Sequence, residues 1–169
     1  MTRYWLEIQK AAADFKLDPL LVEAVVMQES AGNTDAFRFE RDFYNRYLKP
    51  NKLYQGMNPR RISSSYGLMQ CMWPVAIERG LDIKLPPEML FIPEIGLKWG
   101  CKQLGYLRDW ADGGWPEVSV DQRLRATLAS YNGGRGANKP SDSPLRNRLY
   151  AESVLKHYQL LAKEHSTPA

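Results

Sequence analysis

Apolar positions recur along this chain mostly at helical spacing. Tyr4, Leu6, Ile8, Ala12 and Phe15 make the apolar stripe of a first amphipathic helix, closed by Leu17 and Asp18. Asp18-Pro19 predicts a new start. The aspartate caps a free helical N–H, and the proline takes the first helical position, where its missing N–H costs nothing. The segment Leu20-Leu21-Val22-Glu23-Ala24-Val25-Val26-Met27-Gln28-Glu29-Ser30 is apolar almost all round, so this helix is expected inside the protein. Ala31-Gly32-Asn33 stops it.

The second half repeats the pattern. Residues 93–110 predict a strong amphipathic helix with Ile95, Leu97, Trp99, Leu104 and Leu107 inward, ended by Asp112-Gly113-Gly114. Helices are also expected over 120–131 and 145–162, with Asn132-Gly133-Gly134-Arg135-Gly136 as a loop between them. The middle is less regular. Residues 35–48 mix aromatic and charged side chains and predict a short helix or an ordered loop. Residues 50–65, rich in Asn, Gly, Pro and Ser, predict a loop. Residues 67–79 suit a helix interrupted near Trp73-Pro74, and Leu85-Pro86-Pro87 is a break. No run alternates convincingly as a strand, although 36–62 has room for a small hairpin. The expected class is mainly α, one domain over residues 1–169.

Composition narrows this further. A chain of 169 residues with 44% hydrophobic residues can bury a proper core and is not a disordered tail. No apolar run approaches the roughly 18 residues that span a bilayer, so membrane insertion is not expected. The first residues, Met1 to Glu7, lack the apolar stretch and small-residue cleavage site of a secretory signal. The net charge of +4 would suit an anionic polymer, cell wall or nucleic acid, but on charge alone ordinary surface charge is the favoured reading. Cys71 and Cys101 sit among apolar neighbours and are expected as free buried thiols. With only His157 and His165, a metal site is not expected, nor is any cofactor. A monomer is expected.

Glu29 is the residue that stands out. It lies at the C-terminal end of an apolar helix. The negative end of the helix and burial both disfavour a charged carboxylate there, and both raise its pKa. A carboxylic acid kept protonated near neutral pH is what protonation of a glycosidic oxygen needs. A glutamate fraying into solvent at a helix end is the plain alternative.

The rest of the sequence changes that balance. Glu29-Ser30, then Ser65-Tyr66-Gly67-Leu68-Met69-Gln70-Cys71-Met72, then Ser130-Tyr131-Asn132-Gly133-Gly134, then Asn147-Arg148-Leu149-Tyr150, follow one another in order. Together they resemble the lytic transglycosylases, peptidoglycan-cleaving enzymes with a goose-type lysozyme-like fold. The resemblance runs from about residue 18 to about residue 158. It implies that Glu29 is the single acid/base. Ser30, Gln70 and Met72 would line the sugar cleft. Tyr131 and Asn132 would stand near Glu29, the tyrosine hydroxyl orienting it, and Tyr150 would face the same cleft. Glycines 133 and 134 would let a polymer approach the backbone. The sequence departs from the pattern at Trp73, which separates Met72 from Pro74, at Asn147 in place of Thr, and at Ala151 in place of Val. The stretch between Ser30 and Gly67 is longer than in compact members, and its aromatic part, residues 37–47, is expected to wall the cleft. Ser63, Ser64 and Ser65 stay equal candidates for the hydroxyl before Gly-Leu-Met-Gln.

The implied reaction cuts the β-1,4 bond between N-acetylmuramic acid and N-acetylglucosamine and leaves 1,6-anhydro ends. The nearest rival is a muramidase of the same fold. It would need a second carboxylate to activate water, roughly 6.5–9.5 Å from the acid. Asp35, Glu40 and Asp42 are the candidates. A non-catalytic wall-binding protein is the rival from another class. A nucleic-acid partner rests on charge alone and is not expected. The place of action is the bacterial wall, reached from the periplasm, from outside or from a virion.

Overall fold

The computed structural model describes residues 2–166. Helix α1 (Trp5–Asp14) turns Ile8, Ala11 and Ala12 into the core. Leu6, expected on that face, is 77% exposed instead. Two residues along a helix is about 200° round, so Leu6 lies opposite Tyr4 and Ile8. Helix α2 (Pro19–Ser30) starts as expected: Asp18 Oδ1 accepts the Leu20 N–H at 2.9 Å. The other oxygen of Asp18 accepts the Tyr158 hydroxyl at 2.7 Å and so ties the start of α2 to the C-terminal helix. Val22 to Val26 are buried, and Ala31 ends the helix in the left-handed region at φ 50°. Glu23 is fully buried within this apolar helix. It accepts the Thr2 backbone N–H, while Oε2 has no hydrogen-bond partner among the described residues.

The middle of the chain holds an antiparallel sheet that the sequence pattern concealed. Strands β1 (Phe37–Phe39), β2 (Ser64–Tyr66) and β3 (Cys71–Met72) lie in the order β1-β2-β3. Phe37 faces Tyr66, Phe39 faces Ser64, and Ser65 faces Met72. The expected room for a hairpin in 36–62 is thus half right: β1 lies there, and its partner follows at Ser64. Between them run α3 (Arg41–Phe43), a π turn (Tyr44–Leu48), a short 3-10 turn (Lys52–Tyr54) and α4 (Pro59–Ile62), which Asn58 caps. Residues 50–65 are therefore more ordered than a loop.

The expected helix over 67–79 is also corrected. Gly67 (φ 65°) and Gln70 (φ 46°) reverse the chain between β2 and β3. Helix α5 (Trp73–Glu78) then begins where an interruption was expected. Proline is at home in a first turn, so Trp73-Pro74 marks a start. After a 3-10 turn (Pro87–Phe91) come α6 (Pro93–Gly114), α7 (Val120–Gly133), capped by Ser119, and α8 (Arg148–Ser166).

Two apolar clusters form. One surrounds α2, with Ile8, Val25, Leu97, Cys101, Leu104, Leu128 and Val154 among its members. The other backs the sheet, with Leu48, Tyr54, Tyr66, Cys71, Trp73 and Trp99. The β2–β3 turn joins them, since Leu68 and Met69 belong to the first cluster and Tyr66 and Cys71 to the second. Helix α6 approaches this turn closely. A Cβ on Gly100 would lie 2.5 Å from Met69 Sδ. Among the described residues, no helix is long and apolar enough to cross a membrane.

Candidate active site

Glu29 sits half-buried in the last turn of α2. The Tyr150 hydroxyl, from the first turn of α8, donates to its Oε1 at 2.6 Å. Burial raises the Glu29 pKa. The bond from Tyr150 and the charge of Arg38 oppose the rise, and the carboxylate of Glu40 adds to it. Burial, followed by the neighbouring Glu29 carboxylate, drives the Tyr150 phenol far above its ordinary value. Tyr150 therefore stays a proton donor at any working pH. The site thus pairs a carboxyl whose pKa burial raises with a tyrosine hydroxyl that donates to it.

The other expected residues build the surroundings. The Ser30 hydroxyl donates to the Leu68 carbonyl at 2.8 Å. The Tyr131 hydroxyl donates to the Met69 carbonyl at 2.9 Å. The Gln70 amide donates to Ala36 O at 3.0 Å and Gly67 O at 3.1 Å. All three hold the β2–β3 turn, from α2, from α7 and from the turn itself against the entrance to β1. The expectation that Tyr131 orients Glu29 is corrected: its hydroxyl is committed to Met69, and Tyr150 supplies the bond to the carboxyl. Burial also raises the Tyr131 phenol well above its usual value.

Asn132 is exposed, and its Oδ1 accepts from the Asn147 amide at 2.8 Å. Asn147 stands where the sequence pattern expected Thr. Its Oδ1 accepts from Asn138 at 3.1 Å and its backbone N–H donates back at 2.9 Å. Gly133 is needed for this knot, because a Cβ there would lie 2.1 Å from Asn147 Oδ1. What approaches this glycine is Asn147, whereas Gly134 faces open space. Met72, Asn132, Gly133 and Asn147 line a cavity of about 570 Å³ together with Phe43 and Tyr47 from the aromatic segment.

Arg38 went unnoticed in the sequence. Phe37-Arg38-Phe39-Glu40 alternates with the period of a strand, and that was the available signal. Arg38 Nε bonds Glu40 Oε1 at 2.5 Å, and the Ser65 hydroxyl reaches the same oxygen at 3.2 Å. Ser63 and Ser64 instead bond the backbone carbonyls of Glu40 and Arg60. Asp35 and Asp42 are exposed. Cys71 and Cys101 are buried and free. Among the described residues, no group of three or more His, Cys, Asp or Glu could hold a metal ion.

A half-buried carboxyl with a raised pKa, bonded by Tyr150, thus lies in the same part of the fold as the β2–β3 turn. The transglycosylase SLT domain model matches residues 7–150, and the chain belongs to that family. Among solved structures it is similar to an inactive mutant of the lytic transglycosylase Slt from Pseudomonas aeruginosa, with a TM-score of 0.62 and 18% identity over 99% of this chain. The match covers 25% of that longer protein. At that identity the likeness speaks for the fold, a mainly helical lytic-transglycosylase fold with a small antiparallel sheet. No curated protein sequence matches the chain significantly.

Proposed function

We propose that this chain cleaves peptidoglycan glycan strands as a lytic transglycosylase, with Glu29 as general acid and then general base. The observation that carries the reading is the Glu29 carboxyl, half-buried, raised in pKa and held by Tyr150, within a chain of the SLT family. Protonated Glu29 gives its proton to the oxygen between N-acetylmuramic acid C1 and the departing N-acetylglucosamine. The C1–O bond breaks, and the acetamido oxygen of the muramic acid stabilises the cationic C1. Glu29, now a carboxylate, takes the proton of the C6 hydroxyl. O6 then bonds C1 and closes the 1,6-anhydro ring. One carboxyl suffices and water is not consumed. Tyr150 keeps the carboxyl aimed through both steps, Gln70 and Met72 lie along the strand, and Asn132 meets it further out.

Hydrolysis is the second reading, and Glu40 is the residue that would support it, since Glu29 feels its charge. Its Oε1 is already engaged by Arg38 and Ser65, which leaves it poorly placed to activate water. Mass spectrometry of muropeptides released from purified peptidoglycan separates the two. Anhydro-muramyl ends, one water lighter than reducing ends, are expected. Reducing ends from the native chain would replace the transglycosylase by a muramidase, and no release from any wall type would leave a binding protein.

A further inference from the structure

The cavity beyond Met72 and Asn132 carries charge that this mechanism does not use. Arg46 lines it from the π turn, and Arg146 lines it from just before α8. Both are exposed, and among the described residues neither has an ion pair. Asp42 also lines the cavity and is likewise unpaired, so the wall holds two guanidiniums against one carboxylate. Tyr47 is 54% exposed beside them, its ring 5.9 Å from the Arg46 guanidinium and 5.0 Å from the Phe43 ring. Asn147 directly precedes α8, the helix whose Tyr150 bonds Glu29.

A planar guanidinium suits bidentate binding of a carboxylate, and an aromatic face suits the C–H surface of a sugar. We infer that this cavity receives a carboxylate-bearing substituent of the glycan, held by Arg46 and Arg146 with a sugar ring against Tyr47. The inference rests on the glycan-cleaving reading. Peptidoglycan offers such a carboxylate from two sources: the peptide stem, or the lactyl group of muramic acid once the stem has been removed.

The test reads binding without turnover. In a Glu29→Gln background, Kd is measured for stem-bearing strands, for strands stripped of their stems, and for an uncharged N-acetylglucosamine oligomer. Arg46→Gln combined with Arg146→Gln is expected to weaken binding of a carboxylate-bearing strand about five- to tenfold relative to the neutral oligomer. Loss confined to stem-bearing strands assigns the stem, and loss confined to stripped strands assigns the lactyl group. Loss on both means that the two sources share the site. The same change on all three ligands, or none, overturns the inference. Because no cleavage is needed, reducing ends from the native chain would sink the transglycosylase reading and leave this result standing.

Discussion

Glu29 works against the fold that holds it. Its pKa is raised in the native state. The native state therefore binds this proton more tightly than the unfolded chain does. The contribution to stability is fully present below the ordinary carboxyl pKa and is lost as pH rises through the raised value. Glu29→Gln should lower turnover by roughly 10²- to 10⁴-fold. It should also raise Tm at neutral pH, and by less near pH 4. A thermal melt at both pH values checks the sign, and a lower Tm for the variant at pH 7 would contradict it. The neighbours set the working range. Glu40 pushes the Glu29 pKa up, so Glu40→Gln should move the alkaline limb of kcat/KM to lower pH. Tyr150 holds it down, so Tyr150→Phe should move that limb to higher pH while kcat falls. Displacements in the reverse directions would separate these residues from the acid. Glu29 was singled out in the sequence less by its place at a helix end than by the motifs that follow it in order. The sequence could not tell which tyrosine reaches Glu29. Tyr131 and Tyr150 both lie near helix ends, and only the packing of α7 and α8 around α2 decides that one hydroxyl meets Met69 and the other Glu29.

The β2–β3 turn is where the chain departs most from its own pattern. Leu68 and Met69 read as helical because they are apolar and followed by more apolar residues, yet they are plugs dropped into the cluster around α2. The long helices were legible because each repeats its stripe over many residues. Strands of two or three residues are too short to show a period, and β2, with Ser64 and Ser65, has little apolar content to show. The turn stays in place through tight approaches. A Cβ on Gly67 would lie 2.6 Å from the Leu90 carbonyl, and one on Gly100 would strike Met69. Gly100→Ala should cost about 1–3 kcal/mol by overpacking. It should also lower kcat, because Met69 and Leu68 carry the carbonyls that Tyr131 and Ser30 hold. Chemical denaturation beside an activity assay tests the pair. Full stability with full activity would mean that α6 can retreat without disturbing the turn.

The described residues form two apolar clusters that meet at the β2–β3 turn. Helix α2 brings Glu29 from one, and β3 brings Met72 from the other. The first of these clusters was legible in outline, from one helix apolar almost all round and from the amphipathic helices about it. The second is built from a turn-rich stretch whose aromatic residues face one another across distance in the chain, such as Tyr54 with Trp73 and Tyr66 with Phe91. Contacts of that kind leave no periodic trace. The division also separates the two thiols: Cys101 lies in the cluster around α2 and Cys71 in the one behind the sheet. Burial pushes both up to about 12, so neither is a thiolate at neutral pH while it stays inside. Each sulfur is therefore a silent clock for its own half of the molecule. A thiol-specific dye in excess would label it only during excursions that expose it. Two distinct labelling rates, assigned by replacing one cysteine with alanine at a time, would report two opening events, and a single shared rate would mean that the halves come apart together.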